Sequence, residues 1–204
     1  MQKGLVMTRP RPGSAAIQRE KSGDRALLAA IGHRDRRAFT ELYRQYHPRV
    51  CGYLHRILGN PAVAEEVYDD VMFVVWQDAR KFRGDSAVSS WIFGIAYRKA
   101  ISAARKERRH EVAIDNSVDT DLLPAGNTGR DRDLIGAALA ELSVDHRQVV
   151  ELTYFCGFSY QEISEIANCP VNTVKTRMFH ARRRLRYLLP VLDGSEKEAN
   201  REQR

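Results

Sequence analysis

Between Cys169 and Leu189 the chain reads CPVNTVKTRMFHARRRLRYLL, which holds Lys175, Arg177, Arg182, Arg183, Arg184 and Arg186 in one short run. On a helix of about 3.6 residues per turn, Val171, Val174, Met178, Ala181, Leu185 and Leu188 share one narrow apolar stripe. The opposite face carries Asn172, Thr176, Phe179 and Arg183, flanked by Lys175, His180 and Arg186. Amide and hydroxyl groups can bond base edges in a major groove, while Lys and Arg neutralise phosphates. An aromatic ring can pack on thymine methyls or sugars. Basic residues on helices usually form a solvated face, but such a face rarely sets a phenylalanine among hydroxyls, an amide and cations.

The residues just upstream must position this segment. Ser159 and Glu162 form a capping-box pattern, which starts a helix there. The helix continues through Ile163, Ile166 and Ala167 and stops at Asn168, a residue that tolerates the left-handed cap conformation. Pro170 keeps Cys169 out of the helical region. A short helix, a tight turn and a longer basic helix make a helix-turn-helix.

Composition agrees with an anionic partner. The 204 residues carry a formal net charge of +7, and nucleic acid is the first class that such a balance suggests. The basic segments are the N-terminal tail (Lys3, Arg9, Arg11, Arg19, Lys21), Arg98 to Arg109, and Lys175 to Arg186; Glu111, Asp115, Asp119 and Asp121 lie between the last two. Cys51, Cys156 and Cys169 are far apart with no CxxC pair, so neither a disulfide framework nor a zinc-ligand spacing is expected. No metal or cofactor is expected. No apolar run is long enough for a membrane span, and GLVM near the start is too short for a signal-peptide core. A cytoplasmic protein is the expectation.

Along the chain, residues 1–22 are polar with Pro10, Pro12 and Gly13, and disorder is expected. Asp24 can cap a first helix through Ile31. A second has Phe39, Leu42, Tyr43, Tyr46, Val50, Tyr53, Leu54 and Ile57 at helical spacing, with a bend at Pro48 and a stop at Gly59. Asn60-Pro61 starts a third, to about Lys81. Its run Val71, Met72, Phe73, Val74, Val75, Trp76 must wrap around the helix. Either the helix is central to its own bundle, or one face is a docking surface rimmed by Asp69, Asp70 and Gln77. Ser89 or Ser90 is a cap candidate for a fourth helix, Trp91 to about Arg109. Residues 111–129 contain Pro124, Gly126 and Gly129 and read as a linker. Two helices, about 131–141 and 145–156, precede the helix-turn-helix, and residues 193–204 form a solvated tail. No strand alternation or βαβ unit is visible. The expected fold is all-α: two small helical domains, 23–110 and 130–192, joined by a flexible linker, with the helix-turn-helix in the C-terminal one.

The stretches AEEVYDDVMFVVWQDARKFRGDSAVSSWIFGIAYRKAISAARKERR and ELSVDHRQVVELTYFCGFSYQEISEIANCPVNTVKTRMFHARRRLR, with the upstream YRQYHPRV, resemble bacterial sigma factors of the extracytoplasmic-function group. The resemblance implies a subunit that directs core RNA polymerase to promoters. It implies that the third helix docks on the polymerase clamp through Asp69, Asp70, Met72, Phe73 and Trp76. YDDVM departs there from the Gln-Glu pair of many members. The loop Arg83, Gly84, Asp85, Ser86, Ala87 and Val88, beside Arg98 and Lys99, would capture a base flipped from the −10 strand. The helix-turn-helix would read −35 duplex through Asn172, Thr173, Lys175, Thr176, Phe179, His180 and Arg183. The tether would thread the polymerase cleft, where Asp115, Asp119 and Asp121 suit a displaceable nucleic-acid mimic; a charged solubilising linker explains them equally well. An anti-sigma factor is the further expected partner.

Two other classes compete. A stand-alone helix-turn-helix regulator would bind duplex without polymerase, but a response regulator needs an α/β receiver, and residues 1–110 show no strands for one. An enzyme would need a site constellation. Asp69 and Asp70, adjacent on a helix, point in different directions, and neither a histidine nor a Gly-rich phosphate loop supports them. No catalytic residue is expected.

Overall fold

The computed structural model describes the backbone of residues 14–114 and 130–193. Among the described residues every regular element is helical: α1 (Ser14–Gly32), α2 (Arg36–Leu58), α3 (Pro61–Asp78), α4 (Val88–Ile114), α5 (Arg130–Ala140), α6 (Val144–Val150), α7 (Tyr160–Ala167) and α8 (Val171–Asp193). A 3-10 turn (Ala79–Lys81) extends α3, and a π-helical turn (Glu151–Phe155) extends α6.

Most helix ends follow local chemistry. Asn60 accepts from the backbone N–H groups of Ala62 and Val63, with Pro61 in the first turn, so the Asn-Pro pair satisfies donors that a helix start leaves open. Gly59 closes α2 in the left-handed region at φ 75°, where a Cβ would be strained. Ser159 and Glu162 form both bonds of the capping box, and Asn168 ends α7 at φ 48°.

Three boundaries differ from expectation. α1 begins at Ser14, so Asp24 lies inside the helix and caps nothing. Its carboxylate instead accepts from Gln45 Nε2 at 2.6 Å and from the Tyr46 hydroxyl, tying α1 to α2. Residues 14–22 of the expected tail are thus helical. α4 begins at Val88, where Trp91 N–H bonds the Ala87 carbonyl at 3.0 Å. Neither Ser89 nor Ser90 is the cap, and Ser90 Oγ is buried without a protein partner. The buried Val88 side chain, 3% exposed, sets this start by packing rather than by capping. α4 also runs on to Ile114, past Glu111 where the linker was expected to begin. The rest of that linker, including Asp115, Asp119 and Asp121, and the tails 1–13 and 194–204 lie outside the described residues.

The first half, α1 to α4, packs around Leu42, Tyr53, Leu54, Tyr68, Val71, Ile92 and Phe93; the second, α5 to α8, around Leu152, Ile163, Val174 and Ala181. These belong to one continuous buried cluster, because α4 lies along α7. Phe93 meets Phe158 edge-on at 4.8 Å. The helices approach closely at Gly94, where a Cβ would sit 3.6 Å from the Ile166 carbonyl, an ordinary contact distance. Arg56 on α2 pairs with Glu151 on the π-helical turn. Arg147 on α6 donates to the Ile57 carbonyl at 3.2 Å. The two halves therefore share a specific interface.

Candidate nucleic-acid interface and docking face

The outward face of α8 follows from its stripe. Val174, Met178, Ala181 and Leu188 are buried, and Val171 and Leu185 half-buried. That burial turns Asn172, Lys175, Thr176, Phe179 and Arg183 outward as exposed residues, with Thr173 and His180 at the margin. Phe179 keeps 62% of its surface in solvent, although burying a phenylalanine would stabilise the fold by roughly 1.5–3 kcal/mol. All seven expected readers thus lie along one surface. His180 stacks with His146 of α6 at 6.1 Å. Both line a shallow groove with Asn172, Thr173, Thr176 and Arg177. Burial, and next His180, pushes the His146 ring below its ordinary pKa.

The cations of α8 divide by their partners. Arg177 is turned inward, with Nη2 on Asp145 and Nη1 on the Tyr97 hydroxyl of α4, each at 3.2 Å. Arg182 is held by the Tyr154 hydroxyl at 2.7 Å. Arg183 and Arg186 are exposed. His146 and Asp145 were not singled out from the sequence, and Arg177 was named there only as one cation of the basic run. Asp145 could have been noticed as an acidic residue in a helix first turn, but its bond to Arg177 crosses elements that no local pattern links.

On α3 the apolar run divides sharply. Val71, Met72 and Val75 are buried, Val74 and Trp76 half-buried, and Phe73 is 58% exposed. Met72, at 1% exposed, is a core residue and not part of an accessible face. Trp76 packs edge-on against Phe39 at 5.2 Å, with the Arg34 guanidinium over its ring at 5.3 Å. Asp69 and Asp70 flank Phe73 and are exposed, but neither is free. Asp69 accepts from the Tyr43 hydroxyl at 2.8 Å, and Asp70 pairs with Lys99 at 2.8 Å. Burial, aided by Asp69, pushes the Tyr43 hydroxyl up to about 12.

The loop before α4 carries Gly84 at φ 81°, whose carbonyl accepts from Arg25 of α1 at 3.1 Å. Arg83 and Asp85 pair with each other at 3.0 Å and are exposed. Ser86 and Ala87 are half-buried. Val88 is a core residue and is withdrawn from the accessible loop. Arg98 is exposed on α4, while Lys99 is turned to Asp70, so the structure links the α3 face to the loop side through that ion pair.

Both halves of the chain match known families. Residues 42–110 match the family described as Sigma-70 region 2, and residues 132–185 the family described as Sigma-70, region 4. The chain is 33% identical over 166 residues to the ECF RNA polymerase sigma factor RpoE of Cereibacter sphaeroides, covering 79% of this chain and 92% of the relative. It is 33% identical over 179 residues to the ECF RNA polymerase sigma factor SigK of Mycobacterium tuberculosis strain H37Rv, covering 81% and 93%. Among solved structures it is similar to the sigma factor RpoE in complex with the anti-sigma factor NepR from Bartonella quintana. That likeness has a TM-score of 0.62 and 27% identity over 75% of this chain and 97% of that one. CnrH, solved with the cytosolic domain of CnrY, shares the fold at a TM-score of 0.64 and 21% identity, covering 83% and 98%.

Proposed function

The chain belongs to the extracytoplasmic-function RNA polymerase sigma factors, and from that premise we propose how its two halves divide the work of promoter-specific initiation. Residues 23–110 bind core polymerase and hold the opened −10 strand; residues 130–192 bind −35 duplex. One observation carries this reading: Phe73 in the first half and, among the exposed aromatics of the second, Phe179 each stand at the centre of a polar outward face. Phe73 stands between carboxylates, which suits a basic partner surface. Phe179 stands among Asn172, Thr176 and Arg183, which suits a major groove.

In this reading Asp69, Asp70 and Phe73 make the polymerase contact, with Trp76 supporting Phe73 from behind. Arg83, Gly84, Asp85, Ser86 and Ala87, with Arg98, meet the displaced strand. Lys99 joins them once a partner displaces Asp70. An anti-sigma factor covers one of these faces when the protein is held inactive, as the Bartonella neighbour's complex with NepR suggests. This reading gives the protein no catalytic role of its own. Its place of work is the cytoplasm, with polymerase and chromosome; no described helix is long and apolar enough to cross a membrane.

The test is run-off transcription with purified core polymerase and genomic fragments. Transcripts with defined starts should require this protein, and its binding to promoter duplex alone should be weak. Tight, specific duplex binding without polymerase would favour a stand-alone regulator. The described part of the first half is helical and offers no α/β receiver for one.

A further inference from the structure

No zinc-ligand spacing exists along the sequence, yet the fold assembles a ligand set across two helices. His47 and Cys51 lie four residues apart on α2, which puts them on one face. α3 packs against that face and brings Glu65 between them. His47 Nε2 is 2.9 Å from Glu65 Oε2, and Cys51 Sγ is 3.6 Å from the same oxygen. The three ligand atoms all lie within 4.8 Å of one another. From the geometry we infer that His47, Cys51 and Glu65 form a binding site for a zinc-class divalent cation.

Bond lengths of about 2.3 Å to sulfur and 2.0–2.2 Å to nitrogen and oxygen, at tetrahedral angles, set S···O near 3.6 Å and N···O near 3.4 Å. The sulfur–oxygen separation already has that value. The nitrogen–oxygen separation needs to open by about half an ångström, a side-chain rotation for an exposed glutamate. The site is also held from behind. The His47 ring meets Tyr68 edge-on at 5.0 Å, and Tyr68 is fully buried with its hydroxyl on the Tyr43 carbonyl. Cys51 is 9% exposed, so its sulfur is fixed by the core on one side. Glu65 keeps 55% of its side chain in solvent, leaving an approach for the ion and a fourth position for water.

Without a cation, Glu65 Oε2 faces both other ligand atoms: the Cys51 thiol donates to it, and a proton on His47 Nε2 can do the same. Binding replaces those protons. The thiol proton leaves to solvent as the thiolate takes the metal, and the imidazole presents Nε2 with its remaining proton on Nδ1. A mixed nitrogen, sulfur and carboxylate set favours zinc, or cobalt as its spectroscopic substitute, over magnesium or calcium. Occupancy pins α2 to α3, on whose exposed side Asp69 and Phe73 also stand.

The experiment is cobalt titration of the full-length reduced protein, followed by zinc displacement. One equivalent of cobalt should produce a sulfur-to-cobalt charge-transfer band with the visible bands of tetrahedral cobalt. Zinc should abolish both and raise the melting temperature. Cys51→Ser should remove the charge-transfer band, and Glu65→Gln, on an exposed residue, should weaken binding at least 10-fold while circular dichroism stays unchanged. The Cys156→Ser/Cys169→Ser double variant should keep the band. Absence of the band in the wild-type chain, or its survival in Cys51→Ser, would overturn the site and leave an ordinary histidine–glutamate ion pair.

Discussion

Arg56, on α2 of the first half, directs Nε to a carboxylate oxygen of Glu151, on the π-helical turn of the second half, and the Glu151 side chain is only 1% exposed. The other Glu151 oxygen has no protein partner, nor have the buried Tyr53 hydroxyl and the Gln148 side-chain amide. This is a polar interface, specific in geometry but not fully satisfied. Buried polar atoms without partners each cost about 1–3 kcal/mol. Closure of the two halves therefore carries a polar cost that its apolar contacts, Phe93 against Phe158 among them, must offset.

Arg56→Ala should unbalance it. Removing one partner of a buried ion pair costs about 3–5 kcal/mol. Arg56 keeps 35% of its side chain in solvent, so roughly 2–3 kcal/mol is the expected loss here. The halves should separate before either unfolds. Energy transfer between dyes on α1 and α8 should fall, while far-ultraviolet circular dichroism holds.

The same pair predicts a pH dependence. Burial, the largest influence, raises the Glu151 carboxyl above its ordinary value, and Arg56 pulls it partly back. A carboxyl raised on closure holds its proton more tightly in the closed state. Closure is then favoured below the ordinary glutamate value and weakens as pH rises through the raised one. Dye-to-dye transfer should decline across that window in the wild type, and Glu151→Gln should flatten this part of the profile. A decline of the same size in Glu151→Gln would assign the titration elsewhere.

Gly94 offers a steric control on the same interface. Its nearest neighbours to an added Cβ are Arg98 Nη1 at 3.5 Å and the Ile166 carbonyl at 3.6 Å. Those are ordinary contacts, so Gly94→Ala should be neutral or stabilise by up to about 1 kcal/mol through helix propensity. Gly94→Leu has no such room and should drive α4 from α7. Limited proteolysis should then cut faster within 115–129, the tether whose cleavage yields two helical fragments.

On α3, neighbouring residues should behave oppositely. Phe73→Ala removes a ring that is 58% exposed, so thermal stability should change little while affinity for core polymerase drops. Met72→Ala opens a cavity at a residue 1% exposed and should cost about 2–5 kcal/mol of stability. Equal effects of the two variants on stability would place the Phe73 ring in the core.

On α8, Thr176→Ala and Phe179→Ala should change which −35 sequences are used, with roughly 1–3 kcal/mol of discrimination at the affected base. Arg186→Ala should weaken all promoters alike and lower the salt slope by about one. Arg182→Ala should do the same and also release Tyr154. Transcription from randomised −35 elements at two salt concentrations checks this. Reshuffled preferences in the arginine variants, with uniform loss in the other two, would make the arginines the readers.

How much of this was legible depends on how far each signal reaches. Asn60-Pro61, Ser159 with Glu162, and Asn168 announce their helix ends because the bonds they make span only a few residues. The α8 stripe is legible for the same reason: one period orders it. Val88 gave no such sign, since a helix started by core packing needs no capping residue. Asp24 misled because an acidic residue before an apolar run resembles a cap, while its partners, Gln45 and Tyr46, lie a helix away. Met72 and Phe73 are adjacent and both apolar, and only the packing of α2 and α4 against α3 decides which one is buried. Arg56 with Glu151, and Glu65 with the His47–Cys51 pair, depend on chain closure that no local period encodes.

Because α4 continues to Ile114 and α5 begins at Arg130, the covalent connection between the halves can span at most roughly 50 Å. Each half therefore experiences the other at an effective concentration in the millimolar range, so even a weak mutual affinity keeps them together. A partner that grips both halves at once gains from the same tether: its first contact raises the local concentration of the second binding surface. The clasp between α4 and α7 then needs to be only strong enough to win when that partner is absent.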